Sequence, residues 1–147
     1  MEANLVSMLE GQVPRLKDFP EIQREVAKHA EESKRHGELV ESALKGLGED
    51  TSALKDGIAK LTGMLGPMGM AMANDAPVKI VLANFASEHF EIACYHSIRA
   101  AAQACGNSEI VKICDQILRD EERMADVLEA AIPRVTREHL ACVGVPA

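Results

Sequence analysis

Two carboxylates three residues apart, Glu88 and Glu91, lie in the run Ala86-Ser87-Glu88-His89-Phe90-Glu91-Ile92-Ala93-Cys94-Tyr95. Side chains at i and i+3 share one face of a helix. That face also carries Val81, Phe85, Ile92, Ile98 and Ala102, so it reads as core-facing. Unpaired charge in a core is expensive. Two like charges there need a cation, a proton or a basic partner. Two more segments offer matching side chains. His29, Glu32 and His36 are spaced i+3 and then i+4, along one face. Glu121 interrupts the stripe Ile110, Cys114, Ile117, Met124, Leu128 and Ala131.

Four carboxylates and two imidazoles turned inward suit iron, manganese or zinc. They also suit a metal-free polar layer. In that case the acids pair with His29, His36, Arg35 or Arg123, some keep their protons, and the layer fixes helix register. Residue types and spacing leave both readings open. A di-metal carboxylate bundle takes one Glu from each of two helices and a Glu-x-x-His pair from each of the other two. This chain departs from that count. The offset from Glu32 to His36 is four, and Glu121 is followed at i+3 by Met124.

Long helices must carry these residues. Apolar periodicity predicts a first helix over about 3–18, with Leu5, Leu9, Val13 and Leu16 on one side and Pro14 as a kink or divide. A second helix follows over about 20–47, opened by Pro20 and closed by Gly46 and Gly48. A shorter helix to about residue 64 and the Met-rich connector 63–72 form a crossover. A third helix spans about 76–105, closed by Gly106. A fourth starts at Asn107-Ser108 and is broken by Pro133, leaving a short C-terminal helix over about 134–142. The expected architecture is all-α: one four-helix-bundle domain over 1–147, with one long crossover and a short tail helix.

Composition narrows the function. Apolar residues make up 47 % and charged residues 27 % of 147, with 3 % aromatic and no Trp, which favours helices over sheets. A net charge of -7 argues against nucleic acid and anionic membranes as partners. No apolar run approaches the ~20 residues of a membrane span. The first residues lack a secretory signal pattern, so the expected compartment is the cytoplasm. Cys94, Cys105, Cys114 and Cys142 form no CxxC pair and read as buried, reduced thiols. The charged run Arg119–Asp126 reads as an outer face, apart from Glu121 and Met124. No phosphate-binding, serine-hydrolase or dinucleotide motif occurs.

The run Glu88-His89-Phe90-Glu91-Ile92-Ala93-Cys94-Tyr95 resembles the EHYEIAxY signature of the YciF/YciE-like bacterial stress-protein family. His29-Ala30-Glu31-Glu32-Ser33 resembles that family's HLEET motif, and Leu118-Arg119-Asp120-Glu121-Glu122 its acidic fourth-helix motif. The resemblance implies a ferritin-like bundle related to rubrerythrin, dimeric, induced by stress and built round a di-metal centre. It matches Glu32, Glu88, Glu91 and Glu121 to family acids, which would be oxygen ligands, and places His36 where the family commonly has Gln; the inward imidazoles, His36 or His29, would be the nitrogen ligands. Two departures accompany it. The family's first-helix Glu falls on Val6, with Glu2 and Glu10 out of phase, and its fourth-helix Asp falls on Ala125. The expected function is therefore a stress-response protein with a carboxylate/His centre derived from a di-iron site, holding iron or manganese as one metal or a weakened pair, or holding none. The alternative is a non-enzymatic bundle acting as a homodimer or partner module, with the Met-rich connector as its surface.

Overall fold

The computed structural model describes residues 2–47, 77–142 and 144. The expected short helix and Met-rich connector of the crossover lie outside these residues. Four helices are described: α1 (Glu2–Gln12), α2 (Pro20–Gly46), α3 (Pro77–Ala104) and α4 (Ser108–Cys142). A 3-10 turn, Val13–Leu16, joins α1 to α2. There is no strand among the described residues, so the all-α bundle expected from composition is the observed architecture. None of the described helices is long and apolar enough to cross a membrane.

Local chemistry explains each boundary. Pro14 cannot donate to the preceding turn, so α1 stops at Gln12 and the chain tightens into the 3-10 turn. The Gln23 side chain donates to the Val13 carbonyl at 2.9 Å, satisfying a group that this break exposes. Pro20 then opens α2 with its backbone φ already set. At the other end of the bundle, Gly106 has φ +69°, a left-handed conformation that glycine adopts without steric cost. Asn107 N–H reaches the Ala102 carbonyl at 2.9 Å and Gly106 N–H the Gln103 carbonyl at 3.0 Å, a paired closure of α3. The Asn107 side chain accepts from Ile110 N–H at 3.1 Å and so caps α4. This three-residue connection forces α3 and α4 into an antiparallel hairpin, the most extensive helix pairing in the fold.

The core is divided. One apolar cluster joins Leu5, Leu9, Leu16, Phe19, Ile22, Val26, Ile80, Val81, Met124, Leu128 and Val135. A second, smaller one joins Tyr95, Cys114, Ile117 and Leu118. Glu2, His29, Glu32, His36, Glu88, Glu91 and Glu121 are buried polar residues outside both clusters.

Two expectations are corrected. Pro133 does not break α4, and no separate tail helix forms. Leu128, Ala131 and Val135 continue the buried stripe past it, while Pro133 and Glu129 stay exposed. The Glu129 carbonyl that loses its donor thus belongs to an exposed residue. Nor are all four cysteines buried: Cys94 and Cys114 are, whereas Cys105 and Cys142 are exposed, and all four are free thiols.

Pro133→Ala restores that helical hydrogen bond without touching the core. We expect it to stabilise the fold by about 1–3 kcal/mol, read as a higher urea midpoint at unchanged slope. Leu128→Ala, at a fully buried position, should cost about 2–5 kcal/mol in the same assay.

Candidate metal centre

Each helix contributes one or two side chains to a buried polar layer. On α1, Glu2 precedes Leu5 and Leu9 by three and seven residues and shares their buried face. The Glu2 Cβ lies 3.5 Å from where a Cβ at Gly37 would sit, so α1 and α2 approach closely there. On α2, His29 and His36 are seven residues apart, two turns along one face. On α3, Glu88 and Glu91 occupy adjacent positions of the inward stripe, and α4 supplies Glu121. Glu88, Glu91 and Glu121 are 0 %, 1 % and 0 % exposed.

The side chains form two groups. His29, Glu88, Glu91 and Glu121 each offer a ligand atom, all within 4.8 Å of one another. Glu2, His36 and Glu121 form a second group of the same tightness. Glu121 belongs to both: its Oε2 lies 3.3 Å from His29 Nε2 and its Oε1 2.9 Å from His36 Nδ1. Glu88 Oε2 lies 3.1 Å from His29 Nε2. Tyr95 donates its hydroxyl proton to Glu2.

Hydrogen bonding leaves these groups incomplete. Both carboxylate oxygens of Glu88, Glu91 and Glu121 lack a hydrogen-bond partner, as do His29 Nε2 and His36 Nδ1. Their close approaches are not directed as hydrogen bonds. Buried polar atoms are normally satisfied. A set of orphaned oxygens and imidazole nitrogens converging on one place is what a bound cation completes. The described residues therefore fit a metal ion, and the donor set could hold one.

Electrostatics follow from this crowding. Burial pushes the Glu88 carboxyl up to about 8, against the pull of His29. Burial raises Glu91 well above the carboxylate range, and Glu2, Glu121 and Glu88 beside it add to the rise. Glu2 is raised by burial, although its bond from Tyr95 opposes the shift. Glu121 goes the other way. Burial disfavours its charge, but His29 and His36 hold it well below the usual range. Burial likewise works against charge on the imidazoles. The Glu121 and Glu88 carboxylates overcome it and raise His29 to about 11. Glu121 and Asp120 do the same for His36.

The sequence-derived candidates fall into two classes. His29, His36, Glu88, Glu91 and Glu121 are brought together. Glu32 joins neither group. Its Oε2 lies 2.6 Å from Arg123 and 3.4 Å from His29 Nδ1, and its Oε1 3.3 Å from Lys28. Two contributors escaped the spacing argument. Glu2 is in phase after all, as its offset from Leu5 and Leu9 shows; Val6 is only half-buried, and Glu10 is exposed and bridges to Lys34. Asp120 reads as an outer-face charge but accepts from His36 Nε2 at 3.0 Å, and no spacing signal marks it, because its partner is on α2. Arg123, named among the basic partners of the acids, clamps Glu32 and Glu25. Ala125 is buried and offers no ligand. His89 is exposed, with its ring 4.3 Å from that of Phe85.

Comparison with known proteins follows this geometry. The family model described as Domain of unknown function (DUF892) matches residues 1–141. The chain belongs to this family. A crystal structure of a protein from Xanthomonas campestris is similar at TM-score 0.73 and 24 % identity, covering 96 % of this chain and 88 % of that one. YcfI from Rhodopseudomonas palustris is similar at TM-score 0.65 and 22 % identity, covering 87 % of this chain and 83 % of that one. At these identities the two structures share the fold. The chain is thus a helical member of the DUF892 family with a buried Glu/His cluster that could hold a metal ion.

A pH dependence is expected from the raised carboxyls. Between the ordinary 4.5 and about 8, folded Glu88 binds more proton than the unfolded chain does. Stability must therefore fall as pH rises through that window. His29 has the same sign from its ordinary 6.5 to about 11. Lowered Glu121 has the opposite sign, with stability lost as pH falls below its ordinary 4.5. Denaturant unfolding in chelator should show the metal-free chain most stable near pH 5 and progressively weaker toward pH 8 and above. A gain over that range would contradict this charge distribution.

Proposed function

We propose that this protein is a ferritin-like member of the DUF892 family that holds two divalent metal ions, iron or manganese, in the buried layer. The observation that carries this reading is the sharing of Glu121 between the two groups, each completed by one histidine and at least one further carboxylate. His29, Glu88, Glu91 and Glu121 would hold one ion; Glu2, His36 and Glu121 would hold the other. The four carboxylates of these groups, Glu2, Glu88, Glu91 and Glu121, carry as much negative charge when ionised as two divalent ions carry positive. Carboxylate oxygen with one imidazole nitrogen per ion suits iron and manganese. The resemblance to YciF/YciE-like stress proteins supports the same reading and extends it to a cytoplasmic homodimer acting in a stress response.

When bound, such ions supply redox chemistry toward small oxidants such as oxygen or peroxide. The chain's own contribution is a dry, preorganised cage. Leu9, Val26, Ile80, Met124 and Ile117 are buried in the apolar clusters and exclude water from the layer. Tyr95 orients Glu2 through its hydroxyl. Metal uptake must displace the protons that Glu88, Glu91 and the imidazoles retain, so affinity rises with pH.

Anaerobic loading of the full chain with Fe(II) or Mn(II), followed by elemental analysis, tests this. We expect about two equivalents per chain and a melting temperature that rises with free metal. Glu121→Ala should lose both ions, whereas Glu91→Ala should weaken only the site it serves. Less than about a tenth of an equivalent in a fully folded chain would leave the metal-free polar layer as the function of these residues.

A further inference from the structure

The two histidines are held from behind by carboxylates that belong to neither metal group. We propose that Glu32 and Asp120 are positioning residues that fix the ring proton and orientation of His29 and His36, so that one ring meets the centre through Nε2 and the other through Nδ1. This rests on the metal reading above and goes beyond it, by assigning a role to two residues that hold no ion.

The hydrogen-bond pattern carries the inference. His29 Nδ1 is bonded to Glu32 Oε2 at 3.4 Å, and His36 Nε2 to Asp120 Oδ2 at 3.0 Å. The opposite ring nitrogens, His29 Nε2 and His36 Nδ1, are buried without a hydrogen-bond partner. These are also the nitrogens that face the carboxylates of the centre, Glu88 at 3.1 Å and Glu121 at 3.3 Å for His29, and Glu121 at 2.9 Å for His36. An ionised carboxylate only accepts, so the ring nitrogen beside it must carry the proton. The other nitrogen, which faces the centre, is the one whose proton an ion displaces and whose lone pair the ion then takes.

The fold produces this asymmetry. Glu32 is one turn beyond His29 on α2 itself, where it can reach the ring atom nearer the backbone. Nε2 is left to extend toward α3 and α4. His36 instead meets two consecutive residues of α4. Glu121 takes the near nitrogen and Asp120 the far one. Arg123, at 2.6 Å from Glu32 and 3.1 Å from Glu25, anchors the carboxylate behind His29. Lys28 steadies its other oxygen from the surface. The Asp120 carboxylate is a third exposed and, among the described residues, pairs with His36 with no second cation behind it. The carboxylate behind His29 is therefore the more firmly anchored of the two.

The test uses Zn(II) as a diamagnetic probe on the full chain with 15N-labelled histidine. Two-bond proton–nitrogen spectra report which ring nitrogen carries zinc and which a proton. The wild-type chain should show His29 bound through Nε2 and His36 through Nδ1. Glu32→Ala should weaken zinc about 10–100-fold at the His29 site and Asp120→Ala by a similar factor at the His36 site, each leaving the other site little changed. Glu32→Gln and Asp120→Asn keep an oxygen acceptor and should recover most of that loss together with the wild-type ring pattern. Binding of both rings through the same nitrogen overturns the proposal, as do variant losses that are absent or equal at the two sites. A folded wild-type chain that takes up no zinc removes the metal reading and this assignment together. Normal wild-type uptake with unaltered variants removes only this assignment. The wild-type ring pattern decides the matter even where an alanine variant fails to fold.

Discussion

A single carboxylate, Glu121, sets the terms for the rest of the structure. It is fully buried, and its two oxygens point at two histidines on a facing helix. A charge in that position is tolerable only because opposite charge lies within about 3 Å on both sides. Every other member of the layer is arranged round this fact. Glu88 and Glu91 crowd the His29 side, and Glu2, tied to Tyr95, crowds the His36 side. The excess of carboxylates over imidazoles makes the layer proton-retaining without metal and suited to cations with it.

Holding such a layer requires helices that cannot slide. Three devices supply that constraint. The Gly106–Asn107 turn fixes the register of α3 against α4, and so the height of Glu88 and Glu91 against Glu121. The 3-10 turn Val13–Leu16, with Pro20 opening the next helix, fixes α1 against α2, and so Glu2 against His36. Apolar side chains on either side of the layer, Met124 and Leu128 in one cluster and Ile117 and Leu118 in the other, supply the burial that offsets its cost. A one-turn slip would place carboxylates among these side chains. The polar layer and the two clusters thus exclude alternative registers for each other.

Much of this was legible along the chain because helical periodicity is local. Glu88 and Glu91 interrupt an apolar stripe at i and i+3, and His29 and His36 interrupt another, so their inward direction could be read directly. The departures have equally physical origins. Pro133 reads as a breaker because its missing N–H costs a hydrogen bond; Val135, fully buried one turn beyond Ala131, shows that packing outweighs it. Asp120 and Arg123 sit in a run of alternating charge that looks solvated. Each is pulled toward α2 by a partner distant in sequence, His36 and Glu32 respectively. Glu32 looked equivalent to the other inward acids, yet Arg123 draws it to the rim of the layer.

The sequence by itself determined the all-α class, the long helices and the inward direction of His29, His36, Glu88, Glu91 and Glu121, because these depend on periodicity, turn chemistry and composition. It also carried the family signature. Only the tertiary structure decided which of those residues meet, that Glu121 is shared by two groups, that Glu2 completes one of them and that Glu32 stands behind His29. Those outcomes depend on the relative height and rotation of helices far apart in the chain. Such quantities are set by the turns at the two ends of the bundle, the close α1–α2 approach at Glu2 and Gly37, and the packing between them. No spacing within a single helix encodes them.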